Sequence, residues 1–405
     1  MLIKSKGYKP SVLKQLYLNP QVTCAELSSA IGKSLPIVTR LLNELIQDGL
    51  VKENGFAAST GGRRAMTYSL AADALYLVSV AMDQFITRVA IMNMSNEFVR
   101  PVVKIELPLA NHAEALDILV DRIREIIYES GIAQEKIAGI GIGMPGFVDV
   151  NRGLNYSFLD TGERSIMDIV RERTGLPVFI DNDSSLIALA ELRFGAARGR
   201  QNVMVINVGW GVGLGMILSG ELFRGHNGFA GEFSHIPLFQ NGKLCQCGKT
   251  GCLETEASME VMVEKAREGL RNGRISHFRD LPQDFEEACK TILDAAVIGD
   301  QFAVELLSES AYNIGRGIAT LIHIINPELI VLSGRGAGAG KLWLAPIQQA
   351  LNRYCIPRLA AHTDLSVSTL GNRAELIGAA ALVMEHFDKK TPRPTASLTP
   401  TTENI

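Results

Sequence analysis

Apolar positions along this chain follow two different periods, and the point where one gives way to the other divides it. Between residues 9 and 49 the spacing is helical, and in its last segment Val38, Leu41, Leu42, Leu45 and Ile46 share one face while Thr39, Arg40, Asn43 and Gln47 project elsewhere. Local start and stop signals predict three helices here. They are Pro10 to Leu18, Ala25 to Ile31 capped by Thr23, and Leu35 to Asp48 capped by Ser34 and stopped by Gly49, with Pro36 tolerated in a first turn. Two short strand-like stretches follow, Leu50–Glu53 and Met66–Leu70, joined by the turn-rich FAASTGGRR. Three helices and a hairpin in this order predict a winged helix-turn-helix.

From Leu75 the period changes to that of an α/β chain. Apolar runs at Leu77–Val80, Val89–Met92, Ile137–Ile142, Val178–Ile180, Val203–Val208 and Leu329–Leu332 predict strands, with helical stretches such as Ala113–Ser130 between them. A second strand system begins near Asn202. The expected units are therefore 1–72, 73–200, 201–388 and a Pro/Ser/Thr-rich mobile tail over 389–405.

Charge is unevenly spread in a way that bears on partners. The whole chain of 405 residues carries a net charge of −3, yet residues 1–70 hold nine basic side chains against four acidic ones. That excess predicts contact with a polyanion, against the alternative of an ordinary solvated basic face. Operator double-stranded DNA is the expected partner, with Thr39, Arg40 and Asn43 on the third helix, Lys33 and Ser34 at its start, and Arg63 and Arg64 on the wing. Helix-turn-helix symmetry further predicts a homodimer or homotetramer reading a pseudo-palindrome. No apolar run approaches the roughly 20 residues that span a bilayer, and the N-terminal segment lacks a signal-peptide core, so a cytoplasmic protein without membrane insertion is expected.

Three of the six cysteines crowd into residues 231–254. Cys245, Cys247 and Cys252 are separated by turn-forming Gly248 and Gly251, and His235 lies ten residues upstream of the first. Three thiolates and one imidazole match a closed tetrahedral zinc site, which leaves no position for water and is structural. This spacing, without a secretory signal, favours zinc over a disulfide or scattered buried thiols. Cys24, Cys289 and Cys355 are isolated and read as small hydrophobes.

The same stretch, AGEFSHIPL followed by CQCGKTGCLE, resembles the signature of the ROK family of repressors and sugar kinases, with Ser234 where the family usually has glycine. By motif order the resemblance runs from about Leu75 to Phe387. It implies a two-lobed actin-like ATPase fold, zinc on His235, Cys245, Cys247 and Cys252, and a sugar facing Glu232, His235 and Glu254. The run AELSSAIGKSLPIVTRLLNELIQDGLV is similar to the winged-helix domains that precede the family's repressor branch.

Asn182 and Asp183 follow an apolar strand and precede a helical stretch, which places Asp183 at a strand end in a cleft. The resemblance makes its counterpart in the kinases the general base on a sugar hydroxyl; with the phosphate loops altered, Asp183 is expected to accept hydrogen bonds from a sugar hydroxyl, with Asn182 as a further sugar contact, while the bland reading of the two is a turn-and-cap pair. Gly146, with Gly143 and Pro145, matches the family loop lining that cleft, and Asn155 is a possible further contact. The phosphate loops depart from the kinase pattern. In the register set by the second strand Ala81 stands where an acid is expected, and sliding to use Asp83 and Thr87 still leaves Phe85 where glycine is required. Trp210 stands where threonine is usual, so Gly209, Gly211, Gly213 and Gly215 read as a tight hairpin.

The expected function is thus a sugar-responsive DNA-binding regulator, a repressor answering to a monosaccharide or sugar derivative, with no catalytic residues. The alternatives are a sugar kinase with an added DNA-binding domain, and a repressor governed by a protein partner.

Overall fold

The computed structural model describes residues 7–57, 64–110 and 112–389, so that Arg63 and the tail beyond Lys389 lie outside the described residues. The chain begins with α1 (Lys9–Leu18), β1 (Val22–Thr23), α2 (Cys24–Ile31), α3 (Leu35–Gln47), β2 (Val51–Phe56) and β3 (Met66–Leu70). A reciprocal cap starts α2: the Thr23 hydroxyl accepts from the Glu26 amide, and the Glu26 carboxylate accepts from the Thr23 amide at 2.7 Å. Such a cap contributes about 1 kcal/mol and fixes where α2 starts after β1. Ser34 occupies the N-cap position of α3, but its side chain makes no capping hydrogen bond. Val38, Leu41, Leu42 and Leu45 are buried, as their spacing predicts. The two-residue β1, too short for any sequence pattern, pairs Val22 with Tyr68 and makes the wing a three-stranded sheet.

Two five-stranded sheets follow. The first contains β4 (Tyr76–Met82), β5 (Ile86–Asn93), β6 (Val103–Glu106), β7 (Ile137–Met144) and β10 (Val178–Asn182). Its helices are α4 (Ala115–Ser130) and α5 (Ile166–Thr174), and a small hairpin of β8 (Val148–Asp149) and β9 (Leu154–Asn155) projects from it. The second contains β11 (Val203–Val208), β12 (Val212–Leu218), β13 (Glu221–Leu222), β14 (Leu329–Ser333) and β15 (Asp364–Val367). Strand orders β6-β5-β4-β7-β10 and β13-β12-β11-β14-β15 are the same arrangement, three antiparallel strands extended by two parallel ones. This repeated order is the two-lobed architecture that the family resemblance implies.

Helix α6 (Asp183–Phe194) leaves the first sheet and packs on β11 and β12 of the second. The remaining helices are α7 (Glu254–Ala257), α8 (Met259–Arg271), α9 (Phe285–Val297), α10 (Gln301–Ile325), α11 (Leu344–Tyr354), α12 (Pro357–Ala360) and α13 (Ala374–Glu385). Although α13 falls inside the 201–388 span, it crosses back to pack on β4, β7 and α6. The glycines of β7 permit that approach, since a Cβ on Gly141 would lie 2.0 Å from the Ala379 carbonyl. Helices α6 and α13 therefore form the layer between the sheets.

Both helices also meet the N-terminal module. The Tyr17 hydroxyl of α1 donates to Asn96 at 2.5 Å, and its ring stands edge-on to Phe194 at the end of α6. Lys14 donates to the Glu385 carbonyl at the end of α13 and pairs with Asp388 at 3.1 Å. One continuous core joins Leu13, Leu16 and Tyr17 to Leu189, Leu192 and Leu382. The scaffold helix α1 is thereby anchored, while α3 keeps its outer face open. No helix among the described residues is long and apolar enough to cross a membrane.

Candidate functional site

Strand β10 ends and α6 begins at Asn182 and Asp183, on the floor of a cavity of about 430 Å³ between the sheets. The Asn182 carbonyl accepts from the Ser184 and Ser185 amides and its amide donates to the Gly146 carbonyl at 3.2 Å, so this side chain caps the helix and holds the Gly146 loop. Asp183 accepts from the Ser184 amide at 2.7 Å and the Ser184 hydroxyl at 3.2 Å, and leaves its second oxygen toward the cavity, 3.5 Å from Asn207. Burial pushes the Asp183 carboxyl up to about 6, against the opposing pull of the Ser184 hydrogen bonds.

Across the cavity stand Glu232, His235 and Glu254. Glu254 opens α7, and its carboxylate lies against Gly211, where a Cβ would come within 2.2 Å of its oxygen. The glycine-rich turn therefore does more than close the β11–β12 hairpin, because it clears the space this carboxylate occupies. Burial raises Glu232 above the ordinary glutamate range. His235 turns Nε2 toward Glu232 at 3.8 Å and Nδ1 toward Cys245 at 3.5 Å, so one ring serves two neighbours.

The cysteine loop brings its ligands together. Cys247 and Cys252 sulfurs are 3.6 Å apart, and the four ligand atoms of His235, Cys245, Cys247 and Cys252 lie within 4.8 Å of one another. A tetrahedron with metal–sulfur bonds of about 2.3 Å has sulfur–sulfur edges of roughly 3.8 Å, so the donor set fits a metal ion coordinated wholly by protein. Gly251 is required here: its φ is +78°, and a Cβ would fall 1.9 Å from the Phe239 carbonyl. An ion at this position fixes Glu232 and Glu254 through backbone only three and two residues from its ligands.

A model of the ROK family matches residues 87–386, about three quarters of the chain, and a winged helix-turn-helix DNA-binding model matches residues 9–52. The chain belongs to the ROK family. Its relatives fall on both sides of the family. It is 38% identical over 260 residues to the glucokinase of Halalkalibacterium halodurans, covering 62% of this chain and 78% of that one. It is 30% identical over 348 residues to the Escherichia coli DNA-binding transcriptional dual regulator NagC, covering 85% and 84%. A solved ROK family transcriptional regulator, described as a homolog of the E. coli MLC protein, shares the fold over 94% of this chain and 95% of its own, with a TM-score of 0.74 and 25% identity.

The residues that depart from the kinase pattern of the ROK family pair with their neighbours in the fold. Asp83 folds into the β4–β5 turn by accepting from the Phe85 and Ile86 amides, and its other oxygen takes Arg335 at 2.6 Å. Phe85 packs on Trp210 with ring centroids 4.6 Å apart, and Trp210 stacks in turn on Phe285. The Trp210 ring, carried by the Gly209–Gly211 turn, thus lies between Phe85 and Phe285. Arg335 with Asp83, Lys104 with Glu286 at 2.6 Å, and Arg224 with Asp181 at 2.5 Å tie the two sheets' structures across the cleft.

Gly146, Asn182, Asp183, Glu232, His235 and Glu254 thus line one cavity, and Asn182 also caps α6. Asn155 does not join them; it donates to the Pro145 carbonyl and accepts from the Ser157 and Phe158 amides, which makes it a turn residue. Sequence reasoning missed Arg88 and Glu375, a buried pair at 2.9 Å on the cavity wall. A lone glutamate in the apolar run AELIGAAALV was the available signal. On α3, Thr39, Arg40 and Asn43 are exposed together, with Arg40 only loosely paired to Glu44 at 3.8 Å. Lys33 sits over the Tyr8 ring beside the start of α3, Ser34 is exposed there, and Arg64 is exposed at the wing's return.

Proposed function

We propose that this ROK protein is a sugar-responsive transcriptional repressor. Its winged helix binds operator DNA as a homodimer or homotetramer, and a monosaccharide or derivative in the cleft releases it. The observation that carries this reading is the continuity of two helices. Helix α6 begins at Asn182 and Asp183 and ends against Tyr17; α13 begins beside Glu375 and ends on Lys14. Each is 12 residues long and so spans roughly 18 Å between cavity and DNA-binding module. A sugar that prefers one closure of the cleft shifts both helices and the module they hold. By linkage, operator binding weakens sugar binding by the same factor.

Within this reading Thr39, Arg40 and Asn43 enter the major groove, and Lys33, Ser34, Arg63 and Arg64 meet phosphates. Asp183, Glu232, His235 and Glu254 take the sugar's hydroxyls, since carboxylates at these positions are acceptors suited to them. The metal is zinc, as three thiolates and an imidazole favour, and its role is structural. Phe85, Trp210 and Ala81 oppose phosphoryl transfer, so Asp183 is a hydrogen-bond acceptor and not a general base. The protein works in the cytoplasm, where operator DNA and reduced thiols coexist. Operator mobility-shift titrations with and without sugar test the reading: sugar-dependent release supports it, and sugar-dependent ATP consumption that disappears in Asp183→Ala revives the kinase.

A further inference from the structure

A phosphorylated effector would need basic side chains in the cleft, and the sequence offers Arg152, Arg164 and Arg335 without fixing their positions. Two of them are elsewhere. Arg152 is exposed and donates to the Tyr156 hydroxyl at 3.2 Å, and Arg164 is exposed and pairs with Glu172 at 2.8 Å; neither lines the cavity. Arg335 does line it, together with Arg88, and no lysine is among the lining residues.

Both guanidinium groups are already held by partners inside the protein. Arg88 is buried, with one nitrogen on the Asn372 carbonyl at 2.8 Å and another on Glu375 at 2.9 Å. Arg335 gives a nitrogen to Asp83 at 2.6 Å and has Glu286 at 3.9 Å. That leaves Asp183, Glu232 and Glu254 facing the cavity without a cationic side chain of lysine or arginine. The remaining basic group, His235, has Nδ1 committed to the cysteine cluster. The lining thus holds five carboxylates against two arginines, and each arginine is paired with one of the five, although burial pushes the Glu375 carboxyl up to about 8.

A neutral sugar meets such a wall as a set of acceptors for its hydroxyls. A phosphate ester carries roughly −1.5 to −2 charge at neutral pH and would lie among carboxylates, while the two guanidinium groups that line the cavity among the described residues are turned onto Glu375 and Asp83. Asp183 and Asp83 line the same cavity, so an ester on a sugar held by Asp183 would share it with an Arg335 that Asp83 already holds. We propose that the effector is an unphosphorylated sugar, and that Asp83, by holding Arg335, is the specificity-determining residue that excludes the phosphate ester. This rests on the sugar-binding reading above.

Isothermal titration calorimetry of the full metal-loaded chain with glucose, N-acetylglucosamine and xylose, and with glucose 6-phosphate and N-acetylglucosamine 6-phosphate, tests it. Expected is a free sugar that binds at least 30-fold more tightly than its ester. In Asp83→Asn the amide oxygen can still accept from Phe85 and Ile86, so the turn is kept while Arg335 loses its charge partner. That variant should narrow the preference for the free sugar at least fivefold. An ester that binds the natural protein as well as the free sugar overturns the inference but leaves a sugar-binding cleft. A preference unchanged by Asp83→Asn overturns the role of Asp83. Absence of binding by any probe overturns both the inference and the sugar-responsive reading.

Discussion

Lowering the pH from 7 to 5 should weaken sugar binding about tenfold, because the acceptor at the cavity floor loses its charge in that interval. Burial holds the Asp183 carboxyl at about 6, so it is roughly 90% ionised at pH 7 and roughly 10% at pH 5. An ordinary aspartate near 3.9 would stay about 90% ionised at pH 5 and give a flat profile. The sign for the sugar-free protein is the opposite. A carboxyl whose folded value is raised above its unfolded value stabilises the fold at low pH, and that contribution is lost as pH rises from about 4 to about 6, by an amount on the order of 3 kcal/mol. Sugar binding therefore gains where apo stability falls. Calorimetric titrations at half-unit steps read both trends, with metal content measured at each step because its ligands must be deprotonated to bind. Glu232, also raised by burial, is separated by repeating the series in Glu232→Gln. Asp183→Asn should cost at least tenfold in affinity at pH 7 and abolish most of the slope. A flat profile in the natural protein, or the same slope in Asp183→Asn, refutes the assignment of Asp183 as the ionised acceptor.

Other perturbations separate the parts of the molecule. Chelation of the metal, or Cys252→Ser, should abolish sugar binding by freeing Glu232 and Glu254, while mobility shifts continue to report operator binding. Arg40→Ala should weaken operator binding by about 1–3 kcal/mol; a drop in the salt slope of about one marks a phosphate contact, and relaxed discrimination at one base pair marks a base contact. Tyr17→Phe leaves Asn96 without its donor and should lower stability by about 1–3 kcal/mol by denaturant titration. In the same variant, sugar and operator should each bind within about twofold of normal, but sugar should no longer displace the operator.

What was legible in the sequence was local. The Thr23 cap, the apolar face of α3, and a ligand set compressed into 18 residues between His235 and Cys252 all act over a few turns of chain. The partners that shape the cavity are distant. Asp83 and Arg335 are 252 residues apart, and Arg88 and Glu375 are 287 apart, so no spacing announces either pair. The return of α13 to the first sheet is equally invisible in chain order, because its nearly unbroken apolar run does not say which sheet it covers. The glycines of the β11–β12 turn were read as backbone punctuation, yet Gly211 is explained by a carboxylate 43 residues later. Asn182 fitted both a sugar contact and a cap from sequence; the Ser184 and Ser185 amides show the cap, and the residue also lines the cavity.

The central claim is that one chain joins operator binding to sugar binding, and selection of sheared genomic DNA on the purified, metal-loaded protein tests it most directly. A pseudo-palindromic fragment retained at physiological salt and released by one unphosphorylated sugar, with release lost in Tyr17→Phe, is the predicted result. Retention of no fragment above the non-specific background, or retention that every sugar leaves unchanged, contradicts it.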